Sequence, residues 1–403
     1  MTSSSATRQP QDLTARLART QSVVAVALLF AVNGLVIGGF GGVLPSIRER
    51  LDIEPSHIAI MLFTAGLAGI VAMQVGGRLS DAIGARQVAL AGLPLLIAAA
   101  VTFAFATNFT VAVVGAVLLG LGNGAMDVAM NAVGVQVEAA RERPVMSFFH
   151  ALWSVGGFVG AGSVFLMATL LGLRGAAIVM PLMLFLAALG VIALVVAYKI
   201  TPPTAVIQHT VDGVRTKIPR IAWPLAIMAL AFGLSEGTAT DWSALHVTEV
   251  AQVDSTTGSL GLVAVSGFMV LIRLFGDRLV ARFGRRAVVR FGGVCAALGY
   301  GTVTLVSGLP LLLVGWALVG LGVGMIAPQV YAVAGHIGGG RVLAVVVTFG
   351  YAAFLLGPAV VGFLVSQLGI HHAMAVPAVL CAGIVGLAAT MPKHDTDLSA
   401  QRL

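Results

Sequence analysis

Three carboxylates lie inside long apolar runs of this chain: Asp127 in "LLGLGNGAMDVAMNAVG" (118–134), and Glu236 and Asp241 in the run 222–248. An ionised aspartate at the centre of a lipid-embedded helix costs roughly 2.5–3.5 kcal/mol on insertion scales. An acid in such a place binds and releases a proton, meets a charged ligand, or is kept neutral by a structural partner. Asn131 follows Asp127 by four residues and shares its helical face. Asp127 is therefore read as a proton-coupling site, the alternative being a protonated structural Asp bonded to Asn131 or to a backbone carbonyl. Glu236 is read as a second proton site or a contact for a polar or cationic solute. Asp241 and Trp242 are read as helix-pairing or interface residues. Around them, Asn33, Asn131, His150, Trp153, Gln329, Tyr331 and Tyr351 are polar and aromatic side chains in otherwise apolar segments. Together with Glu236 they are the candidates for a substrate cavity.

The elements that must hold these residues are membrane helices. Of the 403 residues 58% are hydrophobic and 10% charged, where a soluble domain carries about 25% charged residues. Mean hydropathy is +1.01. Apolar stretches of about 20 residues, the length that crosses a bilayer, fall near 21–46, 57–77, 87–106, 109–135, 146–171 and 175–198. Six more fall near 222–248, 256–275, 287–307, 310–334, 342–367 and 371–391. Backbone groups in lipid must be satisfied within the segment, so these are helices. The expected fold is an all-α integral membrane protein, twelve transmembrane helices in two six-helix bundles: 21–198 and 222–391. Residues 1–20 and 392–403 are cytoplasmic tails, and 199–221 is a cytoplasmic linker.

The formal charge of +7 would suit nucleic acid, but the basic residues lie in short clusters between apolar runs, as membrane topology predicts. With the N-terminus inside, only Arg48, Arg50 and Arg174 face outward, which puts both termini in the cytoplasm. Cys295 and Cys381 sit within apolar runs and offer neither a disulfide framework nor a thiolate metal site. No HExxH, CxxC, GxSxG or GxxxxGK[ST] pattern is present, so an enzyme is not expected.

The two halves repeat at an offset of 200 residues. "GLGNG" (120–124) returns as "GLGVG" (320–324), Phe149, Gly157 and Gly162 return as Phe349, Gly357 and Gly362, and Gly84 returns as Gly284. Asp127 falls opposite Ala327 and Asn131 opposite Tyr331. The second half keeps the glycine frame without the acid, so the frame does not require one. Such a pattern is a parallel duplication of six helices.

The loop after the second run reads "GGRLSDAIGARQ" (76–87), and its counterpart after the eighth reads "GDRLVARFGRRA" (276–287). Glycines there permit a tight turn, and arginines can meet carbonyls at a helix C-terminus. The motif Gly77-x-Leu79-x-Asp81-x-x-Gly84-x-Arg86 resembles the signature loop of the major facilitator superfamily (MFS). Gly276, Asp277, Arg278, Gly284, Arg285 and Arg286 form its degenerate second copy, with Ala281 where the first copy has Asp81. The stretches "MDVAMNAVGVQVE", "RPVMSFFHALWSVGG" and "SEGTATDWSAL" resemble the bacterial fucose-permease-like branch. The resemblance implies a coupling carboxylate four residues before an asparagine, at Asp127 and Asn131. The branch's other coupling acid, on the first helix, has no match: Gly41 stands there. The resemblance implies the MFS fold, loops that gate alternating access, and transport of a small-molecule substrate with protons in a bacterial cytoplasmic membrane. Uptake of a polar solute by a monomer is the first expectation, and efflux of a drug-like compound or metabolite the second. No cofactor or metal and no nucleic acid is expected.

Overall fold

The computed structural model describes residues 8–141, 145–204 and 218–392. Among these, all regular structure is helical: α1 Arg8–Leu17, α2 Thr20–Leu51, α3 Pro55–Ile83, α4 Ala85–Ala104, α5 Phe109–Arg141, α6 Met146–Leu171 and α7 Val179–Ile200. There follow α8 Ala222–Val250, α9 Ser255–Gly258, α10 Leu260–Phe283, α11 Arg285–Leu305, α12 Leu309–Ala373 and α13 Ala375–Leu387. Each of the twelve apolar stretches falls on helix. Among the described residues, nine segments are long and apolar enough to cross a membrane, and the bent pair Val360–Ala373 and Ala375–Thr390 makes a tenth. The seventh stretch, α8, is a full 29-residue helix that carries Glu236, Asp241 and Glu249. Gly369, with φ 76°, lies between the eleventh and twelfth stretches, and a 76° bend falls before Ala375, inside the twelfth. Within the N-terminal tail, residues 8–17 form a helix, and Arg141 at the end of α5 donates to the carbonyl of Ala18 at 2.8 Å. The linker lies partly outside the described residues, at 205–217, as does the C-terminal tail from residue 393.

The chain resolves into two compact units. One comprises residues 1–39, 64–160 and 179–212, the other 40–63, 161–178 and 213–403. The first unit closes its helices through glycines of α5. A methyl group on Gly120 would lie 2.0 Å from the carbonyl oxygen of Ala65, and one on Gly124 would lie 2.3 Å from that of Gly69. Gly122 meets the backbone of α4 at Gly92 and Leu96. In the second unit the same contacts recur 200 residues on: Gly320 at 2.1 Å from the carbonyl of Val265, Gly324 against Met269, and Gly322 against Gly292 and Ala296. Between helices in lipid, small residues let backbones approach and supply the packing that a hydrophobic driving force cannot. The duplication is therefore a repeat of packing as well as of letters.

Two pairs of positive-φ residues obey the same offset. Gly84 and Gly284 begin α4 and α11 with φ of 99° and 77°, a region that only glycine enters freely. Asp52 and Gln252 take φ of 50° and 53° at matching turns. Outward-facing side chains are apolar, as in the stripe Leu67, Val71, Val75 and Leu79 along α3, the surface that lipid requires.

Candidate functional site

In the first unit the polar side chains converge on α5. Asn123, Asp127 and Asn131 recur every fourth residue and so share one helical face, a ladder spanning about 12 Å. At one end Asn33 of α2 is buried and saturated on two sides. Trp153 of α6 donates its indole N–H to Asn33 Oδ1 at 2.8 Å, and Asn33 donates to Asn123 Oδ1 at 3.0 Å. At the other end Asn131 donates to the Asp127 carbonyl at 2.8 Å and reaches its carboxylate at 3.4 Å. Asp127 itself is half-buried. The close approach of α2 to α6 positions Asn33: a methyl on Gly34 would sit 2.0 Å from the Trp153 carbonyl, and one on Gly38 2.1 Å from that of Gly157. His150 lies one turn before Trp153, exposed, with its ring edge against Phe30 at 5.1 Å.

The second unit answers with charge. Glu236 of α8 pairs with Arg273 of α10, Nη2 to Oε1 at 3.4 Å, and the two side chains keep 13% and 16% of their exposure. Arg273 is oriented by its Nε, which donates to the Gly324 carbonyl of α12 at 3.2 Å. Tyr331, one helical stretch further along α12, lies within electrostatic reach of Glu236, and its hydroxyl approaches Gly350. Tyr300 donates to the Ser235 carbonyl beside the pair. Gln329 is buried and occupied differently, accepting from Arg285 Nη1 at 2.7 Å. Tyr351 and Asp241 are half-buried. Trp242, read from the sequence as a helix-pairing or interface residue, is fully buried, with its ring 3.7 Å from the Cβ position of Gly362.

The signature-loop arginines end helices. Arg86 donates to the carbonyls of Thr201 and Tyr198 at 2.9 and 2.7 Å, and its guanidinium stands 5.5 Å from the Tyr198 ring. Arg286 donates to the Met391 carbonyl at 2.6 Å. A cation at a helix C-terminus satisfies orphan carbonyls and opposes the negative end of the dipole. Each copy thus ties the third helix of its half to the end of the sixth. Gly76, rather than Gly77, is the tight position on α3, 3.2 Å from Val128 where a Cβ would sit. Asp81 is half-buried, Gly276 faces the Met325 thioether, and Arg278 is exposed. The side chain of Asp277 lies outside the described residues.

At the C-terminal ends of α2 and α8, the second unit joins segments from both halves of the sequence. Arg48 pairs with Glu249, and Ser255 donates to Glu49 at 2.7 Å while accepting from Ser46 at 3.1 Å. Ala161, Ala244 and Leu262 form a buried cluster beside them. Asp254 caps α9 by accepting from the backbone N–H groups of Thr256 and Thr257, both at 3.1 Å. Partial burial works against its charge. The bonds from Thr256 and Thr257, with the charge of Arg174, outweigh burial and hold the carboxyl below its usual range.

Two residues of these constellations, Asn123 and Arg273, are absent from the sequence-derived candidates. The i, i+4, i+8 spacing of Asn123 with Asp127 and Asn131 was the available signal. Arg273 stands three residues before the loop at 276 and counts there as one more loop cation. Its burial inside α10 distinguishes it.

Over its whole length the chain has known counterparts. The model of the Major Facilitator Superfamily matches residues 26–278 and 222–402. The chain is 31% identical over 372 residues to an uncharacterized transporter, y4wD, of Sinorhizobium fredii, covering 91% of this chain and 95% of that one. It is 30% identical over 363 residues to an uncharacterized MFS-type transporter of Yersinia pestis, covering 89% and 92%. Among solved structures it superposes on a mutant of the nucleoside transporter NupG with TM-score 0.72 at 13% identity, covering 94% of this chain and 99% of that one. It also superposes on the E. coli fucose:proton symporter FucP with TM-score 0.61 at 14% identity, covering 91% and 97%. Such low identities speak for the fold alone. With the duplicated glycine frame, both loop copies and two relatives at 30% identity or more, the chain belongs to the major facilitator superfamily and is a multi-pass membrane transporter.

Proposed function

We propose that this transporter takes up a small polar solute with protons, by alternating access of two six-helix bundles, 21–198 and 222–391, joined by the linker 199–221. It sits as a monomer in a bacterial cytoplasmic membrane with both termini in the cytoplasm, a placement supported by the one-sided distribution of Lys and Arg. Asp127 carries the coupled proton. The observation that carries this reading is the ladder Asn123–Asp127–Asn131 in a helical stretch, 111–135, otherwise built of apolar residues and glycine. Its carboxylate is half-buried, within reach of one amide, and dispensable to the packing frame, since Ala327 occupies the repeat position. Moving one charge across 100 mV is worth about 2.3 kcal/mol, so a single acid suffices to drive accumulation. Asn33, Asn131, His150 and Trp153 are the solute contacts proposed for the first half, and Glu236, Tyr331 and Tyr351 those proposed for the second. The contacts of Arg48, Ser46 and Glu49 with Glu249 and Ser255 act as the outer gate in its closed position.

The test is Asp127→Asn in proteoliposomes. The amide imitates the protonated acid and cannot release a proton. Gradient-driven accumulation is expected to vanish while exchange of solute between the two sides survives. Wild-type accumulation by well-folded Asp127→Asn would overturn the assignment.

A further inference from the structure

The turn after the second helix of each half carries a different load of cations. Residues 76–90 hold two arginines, Arg78 and Arg86. Residues 276–290 hold five, Arg278, Arg282, Arg285, Arg286 and Arg290, against one acid, Asp277, and no lysine. Two of the five are engaged within the protein, Arg285 with Gln329 and Arg286 with the Met391 carbonyl. The other three are exposed, and among the described residues none of them meets a carboxylate.

Their placement follows the lipid-facing stripes of two helices. α10 turns Phe268, Leu271, Leu274 and Phe275 outward, and helical spacing puts Arg278 and Arg282 on the same face. α11 turns Phe291, Val294, Leu298 and Leu305 outward, and Arg290 stands at the start of that stripe. Gly284 joins the two helices in a single-residue turn with φ 77°. Arg278 and Arg290 each lie about 7.5 Å along their helix from its end at that turn, and Arg282 lies beside it. In the first half Ala82 stands in place of Arg282, and the buried Leu90 in place of Arg290. The same turn therefore forms without them. A cation that serves topology alone can sit anywhere in the loop, whereas these three end apolar stripes at headgroup depth.

We propose that Arg278, Arg282 and Arg290 bind the anionic headgroup of a membrane phospholipid, whose acyl chains lie along the outward stripes of α10 and α11. Guanidinium forks match phosphate oxygens bidentately, where lysine offers only a point charge. Phe283 is exposed beside them, its ring 5.4 Å from the Arg282 guanidinium, and adds apolar surface at the same level. Basic clusters at the ends of spanning helices recognise anionic lipids by this chemistry. The bound lipid braces the turn whose other arginines hold Gln329 and Met391.

The experiment is native mass spectrometry of the purified full-length protein in detergent, incubated with equal amounts of phosphatidylglycerol and phosphatidylcholine. The wild type should retain phosphatidylglycerol in preference. Arg282→Gln/Arg290→Gln should weaken that retention about 25-fold, about fivefold for each arginine removed, and leave phosphatidylcholine unchanged. Lys199→Gln/Arg220→Gln, which removes the same charge from other exposed positions, should keep the preference. Glycerol phosphate, which has the phosphate and no chains, should not displace the lipid. If the glutamine variant fails to insert, Arg282→Lys/Arg290→Lys is read instead. It keeps the charge, loses the fork, and should bind phosphatidylglycerol more weakly than the wild type. No preference in the wild type, or an equal loss in the Lys199/Arg220 variant, would overturn the inference. So would displacement by glycerol phosphate, which marks a site for free phosphate, or a lysine variant equal to the wild type.

Discussion

The polar ladder of α5 and the ion pair between α8 and α10 stand on the same glycine frame, yet they handle polarity in opposite ways. In the first, one acid shares a helical face with two amides: Asn33 bonds to Trp153 and Asn123, and Asn131 to Asp127. In the second, a full positive charge faces a full negative one across 3.4 Å. At the repeat positions the roles disappear: Asn123 becomes Val323, Asp127 becomes Ala327, Glu236 was Val36 and Arg273 was Met73. Glycines at 120, 122 and 124 and at 320, 322 and 324 set where the helices lie, and a handful of substitutions off that frame set what each half does. Packing and chemistry are separable in this protein because different residues carry them.

The largest effect that could break this comparison lies in the frame. Gly120→Val and Gly320→Val each drive a side chain into a backbone carbonyl, at 2.0 and 2.1 Å from the Cβ position. Overpacking commonly costs about 1–3 kcal/mol where side chains can shift, and here the obstacle is backbone. Both variants should give no monodisperse protein on size-exclusion chromatography. Normal recovery of either one would mean that the two halves do not share a packing rule.

A smaller effect sharpens the contrast between charge and amide. Arg273→Met leaves Glu236 buried without its partner and should cost about 3–5 kcal/mol. Asn33→Leu removes two interhelical hydrogen bonds of the kind worth about 0.6 kcal/mol each in a membrane protein, up to about 1.7. The melting temperature should therefore fall much further for the first than for the second. Equal shifts would erase the distinction.

The smallest effect concerns the contact between Arg48 and Glu249, whose side chains are 29% and 27% exposed. An exposed pair contributes about 0–1 kcal/mol. Arg48→Gln should raise labelling of a cysteine at the buried Leu262 position by an impermeant maleimide, by roughly fivefold at most. The reversed pair, Arg48→Glu with Glu249→Arg, should bring labelling back. Labelling unchanged by Arg48→Gln would remove this pair from the gate.

Much of this was legible in the letters because the lipid solvent is a severe constraint. Apolar runs of span length had to be helices, and the 200-residue offset in "GLGNG" and "GLGVG" had to reflect repeated packing. Asp127 and Asn131 stood out because polar residues are few in their surroundings, and their contact follows from helix geometry alone. Gly84 and Gly284 could be placed at turns, and their positive φ values agree. For Trp242 the sequence left helix pairing and the interface open, because an aromatic near the end of a span suits either; its complete burial follows from helices distant in sequence.

By itself the sequence determined the helices, the duplication, the membrane class and the acid on α5, because each depends on composition or on spacing along one chain segment. The pairing of Glu236 with Arg273, the junction of Asn33 with Asn123 and Trp153, and the contacts of Arg86 at the end of α7 and of Arg286 beyond α13 were decided by tertiary structure. Each joins residues from 37 to 120 positions apart. Which distant side chains meet is fixed by how the glycine faces of separate helices dock, and no periodicity within one helix encodes the partner on another.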